Sequence, residues 1–132
     1  MSKLNPISQA RIESSFKYWE VDKDFYDPII NYLAYGFNPG GFFTAMLAND
    51  YMGAISRSHP ANTVTALKKL ADWIVNEMPK ESWGSYERLD AWIKLTEEDR
   101  RMLLAEYKLI YTPREETWLA ISRGTDEQVA VG

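Results

Sequence analysis

The sequence contains no cysteine and a single histidine, and these two shortages exclude several kinds of functional site. Without cysteine the chain has neither a disulfide nor a thiolate nucleophile. With one histidine and no thiolate it also lacks the ligand set of an ordinary structural zinc site. The histidine, His59, stands beside Pro60 at a predicted helix start, where we expect a turn or capping residue rather than a catalytic base. We therefore expect no metal ion and no cofactor.

A long apolar segment and a signal peptide are also missing. No stretch approaches the roughly 18 consecutive apolar residues that a membrane-spanning helix needs. The beginning of the chain carries a lysine but no apolar run, unlike a secretory leader. The lack of cysteine is compatible with a reducing compartment. We expect a cytoplasmic protein without a membrane partner.

Motifs for catalysis are missing as well. The chain has no G-x-S-x-G motif to present a nucleophile and no G-x-x-x-x-G-K-[ST] loop to hold a nucleotide phosphate. A chain of this size without such a motif is more often a binding protein than a catalyst. We expect that it is not an enzyme.

The pattern of apolar residues indicates a helical protein. Val64, Leu67, Ala71 and Ile74 recur at the spacing of one helix face, whereas no stretch alternates in the manner of a strand. Prolines recur between such segments, which favours several short helices over a long hairpin. We predict an all-α fold, a compact bundle of about six to eight short helices.

Capping residues predict where the helices begin and end. Ser8, Ser85 and Thr96 are suitable helix caps, and Gly36 and Gly124 are suitable helix stops. The helix after Thr96 is expected to continue to Thr112, before the next proline. We predict a single helical domain over residues 1–124 and a flexible C-terminal tail over residues 125–132.

The predicted core centres on two helices, residues 39–55 and 61–78. The first begins with Pro39-Gly40-Gly41, where the glycines suggest close packing or, alternatively, an anion bound by free N–H groups. We expect Asn49-Asp50 to lie in the middle of this first helix. Two polar residues in an apolar helix favour a buried hydrogen-bonding role, with a ligand contact as the alternative.

Lysine and arginine are absent from residues 24–56, and only three acids occur there. This low charge is typical of the buried centre of a domain. The alternative is that part of the segment forms a subunit or partner interface, so we consider a homo-oligomer possible.

The densest group of basic residues lies in the last third of the chain and alternates with aromatic residues. We expect Arg100, Arg101 and Lys108 to share one broad side of a helix. Such a surface could bind single-stranded nucleic acid through phosphate pairing and base stacking. The alternative is a solvated helix face, because several acids are interspersed. The group consists of Arg100, Arg101, Tyr107, Lys108, Tyr111, Arg114 and Trp118.

The middle of the chain contains a combination of residues that forms a pattern: Gly36, Pro39-Gly40-Gly41-Phe42, Leu47, Asn49-Asp50, Asn62, Asn76, Pro79, Trp83-Gly84-Ser85 and Trp92-Ile93. With this pattern, residues 32–95 resemble a family of small proteins, without an assigned activity, from tailed bacteriophages and prophages. The resemblance implies a phage origin and action inside an infected bacterium. It supplies no catalytic residues.

These observations predict a non-enzymatic phage accessory protein that binds a macromolecule in the infected bacterium. The favoured partner is a host or phage protein of the transcription, replication or defence machinery. The alternative is a protein that binds single-stranded DNA without sequence specificity, in support of phage replication or transcription. A small enzyme or ligand-binding module centred on Pro39-Gly40-Gly41 is the least favoured hypothesis.

Overall fold

The computed structural model describes the backbone of residues 3–131 and the side chains of residues 3–123. Within that range the chain forms eight α-helices and no strand, which confirms the predicted all-α fold. The helices, α1 to α8 in chain order, are Pro6–Tyr18, Tyr26–Tyr35, Gly41–Leu47, Tyr51–Arg57, Val64–Glu77, Tyr86–Lys94, Glu97–Glu106 and Pro113–Val131. Short 3-10 turns at Lys23–Phe25 and Lys80–Ser82 precede α2 and α6.

Helix α2 is the most deeply buried helix of the described part of the chain. Five of its ten residues are buried, including Leu33 and Ala34, and it packs against α7. Around it, α1 contacts α5 and α8, while α3 packs on α4 and on α6. The predicted helix over residues 61–78 does contribute Leu70 and Trp73 to the core, but the chain is centred on α2.

Side-chain caps start several helices where the sequence places them. The backbone N–H of Arg88 donates to Ser85 Oγ at 3.2 Å, and that of Asp99 donates to Thr96 Oγ1 at 3.1 Å, which confirms both predicted caps. The predicted cap at Ser8 is wrong. Asn5 caps α1, accepting from the N–H of Ile7 at 2.9 Å, and Ser8 lies buried inside the helix.

The predicted helix over residues 39–55 is two helices, α3 and α4, separated at residues 48–50. Asn49 adopts a left-handed conformation (φ 65°), and the side chain of Asp50 accepts from the N–H of Gly53 at 3.0 Å. Asn and Asp tolerate or cap such breaks because their short polar side chains bond nearby backbone groups. The expectation of a mid-helix pair is therefore wrong. Asn49 is exposed, and Asp50 caps its own helix.

The predicted helix over residues 96–112 ends early, at Glu106. Lys108 takes a left-handed conformation (φ 64°), and the N–H of Leu109 donates back to the carbonyl of Leu104 at 2.9 Å. The turn buries both Leu109 and Ile110, which lets two adjacent apolar residues enter the core. On a continued helix, residues one apart point about 100° away from each other.

The backbone of α8 continues through Gly124 to Val131, so the predicted helix stop at Gly124 is wrong. The glycine lacks the helix-ending conformation that Gly36 shows at the end of α2 (φ 70°). The predicted flexible tail over residues 125–132 stays a prediction, because its side chains lie outside the described residues. Among the described residues, no helix has the length and apolar character needed to cross a bilayer.

Candidate functional site

Arg100, the first of the basic residues singled out above, is buried (6% exposed). Its Nε donates to the carbonyl of Ala34 at 3.4 Å, and its Nη1 donates to the carbonyls of Ile93 and Leu95. These carbonyls lie at the ends of α2 and α6, where the helix dipole favours a cation. Burial lowers the pKa of Arg100. Arg100 therefore holds two helix ends together inside the protein.

Gly36 is explained by the same contact. It ends α2 in a left-handed conformation, and a Cβ built on it would lie 2.7 Å from Cζ of Arg100. A side chain at this position would therefore strain the backbone and also displace the guanidinium.

The remaining basic and aromatic candidates do not share one helix face. Arg101 pairs with Glu97, with 2.7 Å between Nη2 and Oε1. Tyr107 donates its hydroxyl to Glu81 Oε1 at 2.9 Å, and this bond raises its pKa. Lys108 is exposed in the turn after α7. The expectation that Arg100, Arg101 and Lys108 share one side of a helix is therefore wrong.

The last three candidates lie at and on α8. Tyr111 is stacked by Arg11, whose Cζ lies 4.3 Å from the ring centroid. Arg114 and Trp118 are exposed one helical turn apart, and 68% of Trp118 is accessible. They form a surface separate from Arg100.

A long groove, which we call the acidic groove, lies between the start of α1, the outer face of α7 and the start of α8. Its volume is about 1140 Å³. Of the seven candidates above, Arg101 and Tyr111 line it. Its lining residues are Lys3, Leu4, Asn5, Pro6, Gln9, Glu97, Glu98, Arg101, Met102, Ala105, Glu106, Ile110, Tyr111, Thr112, Pro113 and Glu116.

The acidic groove combines apolar surface with negative charge. Its lining contains four glutamates against one lysine and one arginine. Glu98 and Glu106 are exposed, and neither makes an ion pair with another described side chain. Between them on α7 lies Met102, 64% exposed and four residues away from each of the two glutamates. A methionine on the charged face of a helix was the sequence signal for this surface.

Ser8 fastens one end of the acidic groove. Its hydroxyl donates to Glu116 Oε2 at 2.6 Å and accepts from the backbone N–H of Tyr111 at 3.1 Å. Ser8 itself is fully buried, and these part-buried bonds join α1 to Glu116 of α8 and to the turn before that helix. No local pattern around Ser8 or Glu116 predicts this contact, because it joins distant parts of the sequence.

The second candidate motif, Pro39-Gly40-Gly41 with Asn49-Asp50, has structural roles. Gly40 precedes α3 with φ 92°, and its N–H donates to Asn38 Oδ1 at 2.8 Å. A Cβ on Gly41 would lie 3.3 Å from Cδ of Arg57, so the glycine makes room for an arginine of α4. The left-handed backbone conformation therefore accounts for Gly40, which has open space around it, and close packing accounts for Gly41.

Asp50 connects α4 to α6. The hydroxyl of Tyr86 donates to Asp50 Oδ2 at 2.7 Å, and this bond, together with the N–H of Gly53, lowers the pKa of Asp50. The N–H of Gly84 donates to the carbonyl of Leu47 at 2.7 Å. Two stretches that carry the phage-family resemblance therefore meet at one place, which we call the junction.

Beside the junction is a small cavity of about 80 Å³ lined by Asn49, Tyr51, Val75, Trp83 and neighbours. The indole Nε1 of Trp83 is buried and has no hydrogen-bond partner among the described residues. The cavity has room for about two waters, each with roughly 30 Å³ of liquid volume, so it is too small for an organic ligand.

In the described part of the chain, no three His, Asp or Glu side chains are grouped closely enough to hold a metal ion. Comparisons with protein-family models, with curated proteins and with solved structures find no match for this chain.

Proposed function

We propose that this protein is a non-enzymatic binding protein whose acidic groove holds a segment of a partner protein. The supporting observation is the size and lining of that groove. Its volume of about 1140 Å³ is larger than the roughly 300–1,000 Å³ of small-molecule pockets. Exposed Met102 offers an adaptable apolar contact of the kind that protein-binding grooves use.

The glutamates of the groove have contacts that suit binding better than catalysis. Glu97 is held by Arg101, and Glu116 is held by Ser8. Glu98 and Glu106 lie on the exposed rim, where water reaches them. A general acid or base instead needs to lie within hydrogen-bond reach of the proton that it transfers on a bound substrate.

We propose further that the partner belongs to the transcription, replication or defence machinery of a phage-infected bacterium, and that binding occurs in its cytoplasm. The support for this setting is the sequence resemblance of residues 32–95. The groove lies outside that segment, on α1, α7 and α8.

Two exposed methionines provide a matched test. Met102 lies in the acidic groove, whereas Met52 on α4 is 80% exposed and does not line it. We expect the wild-type protein and Met52→Glu to capture the same partner from infected cells, and Met102→Glu to lose it. Equal capture by both variants would mean that the groove is not the binding surface.

A second candidate function, single-stranded-DNA binding, is favoured by exposed Trp118 with Arg114 one turn before it. A tryptophan that stacks on a base is quenched, and phosphate contacts weaken as salt releases counterions. If the protein binds single-stranded DNA, a mixed-sequence oligonucleotide should quench its tryptophan fluorescence, and the quenching should weaken as salt rises. The double variant Arg114→Gln with Lys108→Gln should reduce this quenching. If no quenching occurs at low salt, this candidate function is excluded. Arg100 is unsuitable for this test because it is buried.

A further inference from the structure

We infer that the acidic groove binds an amphipathic helical segment that carries, beside its apolar face, two lysines or arginines about seven or eight residues apart. This inference rests on the proposed function, because it names the chemistry of the segment that the groove would hold.

The apolar part of the groove suits the apolar face of a helix. Met102 is its exposed apolar side chain, half-buried Ala105 lies beside it, and the buried side chains of Leu4 and Ile110 lie at its base. An amphipathic helix laid in a hydrophobic groove contacts it through residues at i, i+3, i+4 and i+7. A methionine thioether adapts to the shape of such residues.

The two exposed glutamates fix the charge pattern of the partner. Glu98 lies near the start of α7 and Glu106 at its end, and both line the groove. Eight residues of helix span about 12 Å at about 1.5 Å per residue. A partner helix lying along α7 therefore meets both glutamates with cations about two helical turns apart.

Glu106 occupies a position that helix stability does not favour. It is the last residue of α7, where the helix dipole is negative and a carboxylate is repelled. A binding role accounts for an acid at this end, because a cation from a partner would offset the repulsion. Glu98, in the first turn, is favoured by the same dipole and needs no such explanation.

The charge of the groove also selects between classes of partner. Glutamates outnumber basic residues in its lining by four to two. Nucleic-acid phosphates and anionic lipid headgroups would both be repelled, whereas a basic amphipathic peptide would be attracted.

The test uses the full chain and three labelled synthetic helical peptides with the same leucine stripe, followed by fluorescence anisotropy. The first peptide carries lysines about eight residues apart, the second carries glutamates there, and the third carries the lysines about four residues apart. We expect the first to bind most tightly, and more tightly at low salt.

Protein variants locate the binding. Glu98→Gln with Glu106→Gln should weaken the first peptide about three- to tenfold, the range expected of exposed ion pairs. The matched control is Glu13→Gln with Glu87→Gln, which changes net charge equally at two exposed acids outside the groove and should leave affinity unchanged. Thermal unfolding checks that each variant folds, and Glu106→Gln alone should be at least as stable as wild type.

The outcomes separate this inference from the proposed function. If the glutamate peptide binds as well as the lysine peptide and Met102→Glu abolishes both, the groove binds protein segments but the cationic pattern is wrong. If no peptide shows binding that depends on Met102, both proposals fail. If sedimentation shows a wild-type dimer that Met102→Glu dissociates, the occupant is a second copy of this chain and the inference is overturned.

Discussion

Arg100 and Arg101 are adjacent in the sequence, yet their side chains have different surroundings. Arg100 passes inward and donates to carbonyls at two helix ends, while Arg101 lines the acidic groove beside Glu97. Residues one apart on a helix point about 100° away from each other, so one of the pair can face the core while the other faces water.

We expect Arg100→Ala to lower the free energy of unfolding by about 3 kcal/mol, because carbonyls at two helix ends lose their donor. Arg101→Ala should cost less than Arg100→Ala, since Arg101 is only half-buried and its ion pair with Glu97 joins neighbours on one helix. Urea unfolding measures both. Equal costs would contradict the assignment of Arg100 to the interior.

Two tryptophans allow the unpartnered indole to be tested. Trp73 Nε1 donates to Ser15 Oγ at 3.0 Å, whereas Trp83 Nε1 has no acceptor among the described residues. Both substitutions to phenylalanine remove an N–H and shrink the ring. We expect Trp73→Phe to cost about 1 kcal/mol more than Trp83→Phe in urea unfolding, because only the former breaks a hydrogen bond within the protein and Trp73 is the more deeply buried ring. The reverse order would indicate that Trp83 has an acceptor in solution.

At the scale of elements, local signals predicted helix starts better than helix ends. Ser85 and Thr96 cap as predicted, because a cap bonds the N–H groups two or three residues further on. The breaks at Asn49 and Lys108 contain no proline or glycine, and apolar residues such as Leu47 and Leu109 are buried next to them. Such breaks depend on packing across the whole fold. The apolar periodicity of the sequence therefore predicts one continuous helix at each of these places.

The left-handed turn that ends α7 can be tested by substitution. Lys108 holds a left-handed conformation that costs an L side chain roughly 1–2 kcal/mol. We expect Lys108→Gly to raise the free energy of unfolding by about 1 kcal/mol. Ala105→Gly, three residues earlier inside the helix, should lower it by about the same amount. If both variants lose stability, the turn at Lys108 is not strained.

At the scale of the whole molecule, the helical fold was predictable and the groove was not. Helical periodicity in residues such as Val64 and Leu67 is a local property, which is why the fold class could be predicted. The acidic groove needs α1, α7 and α8 brought together. Arg100 similarly needs acceptors from α2 and α6, so its burial could not be predicted from neighbours in the sequence.

Alkaline pH should destabilise the whole molecule. Burial raises the pKa of Tyr26 to about 12, and burial also raises the pKa of Tyr32. In the unfolded chain both titrate near about 10. The stabilisation is therefore complete below about pH 10 and is lost as pH rises through the higher folded values. Guanidinium unfolding at several pH values should show this fall.

Tyr32→Phe serves as the control for that fall. The Tyr32 hydroxyl donates to the carbonyl of Ser82 at 2.7 Å, so the variant should lose about 1 kcal/mol at neutral pH. It should then lose less stability than wild type between neutral and alkaline pH, because one buried hydroxyl no longer ionises. An unchanged alkaline slope would assign the fall to other groups.

The bond between Ser8 and Glu116 spans 108 residues of sequence. During translation α1 emerges from the ribosome first and α8 last, so this bond cannot form while the intervening helices are still being made. The groove that it closes is therefore absent from the nascent chain. A partner that recognises the closed groove would therefore bind only chains whose α8 has already emerged from the ribosome.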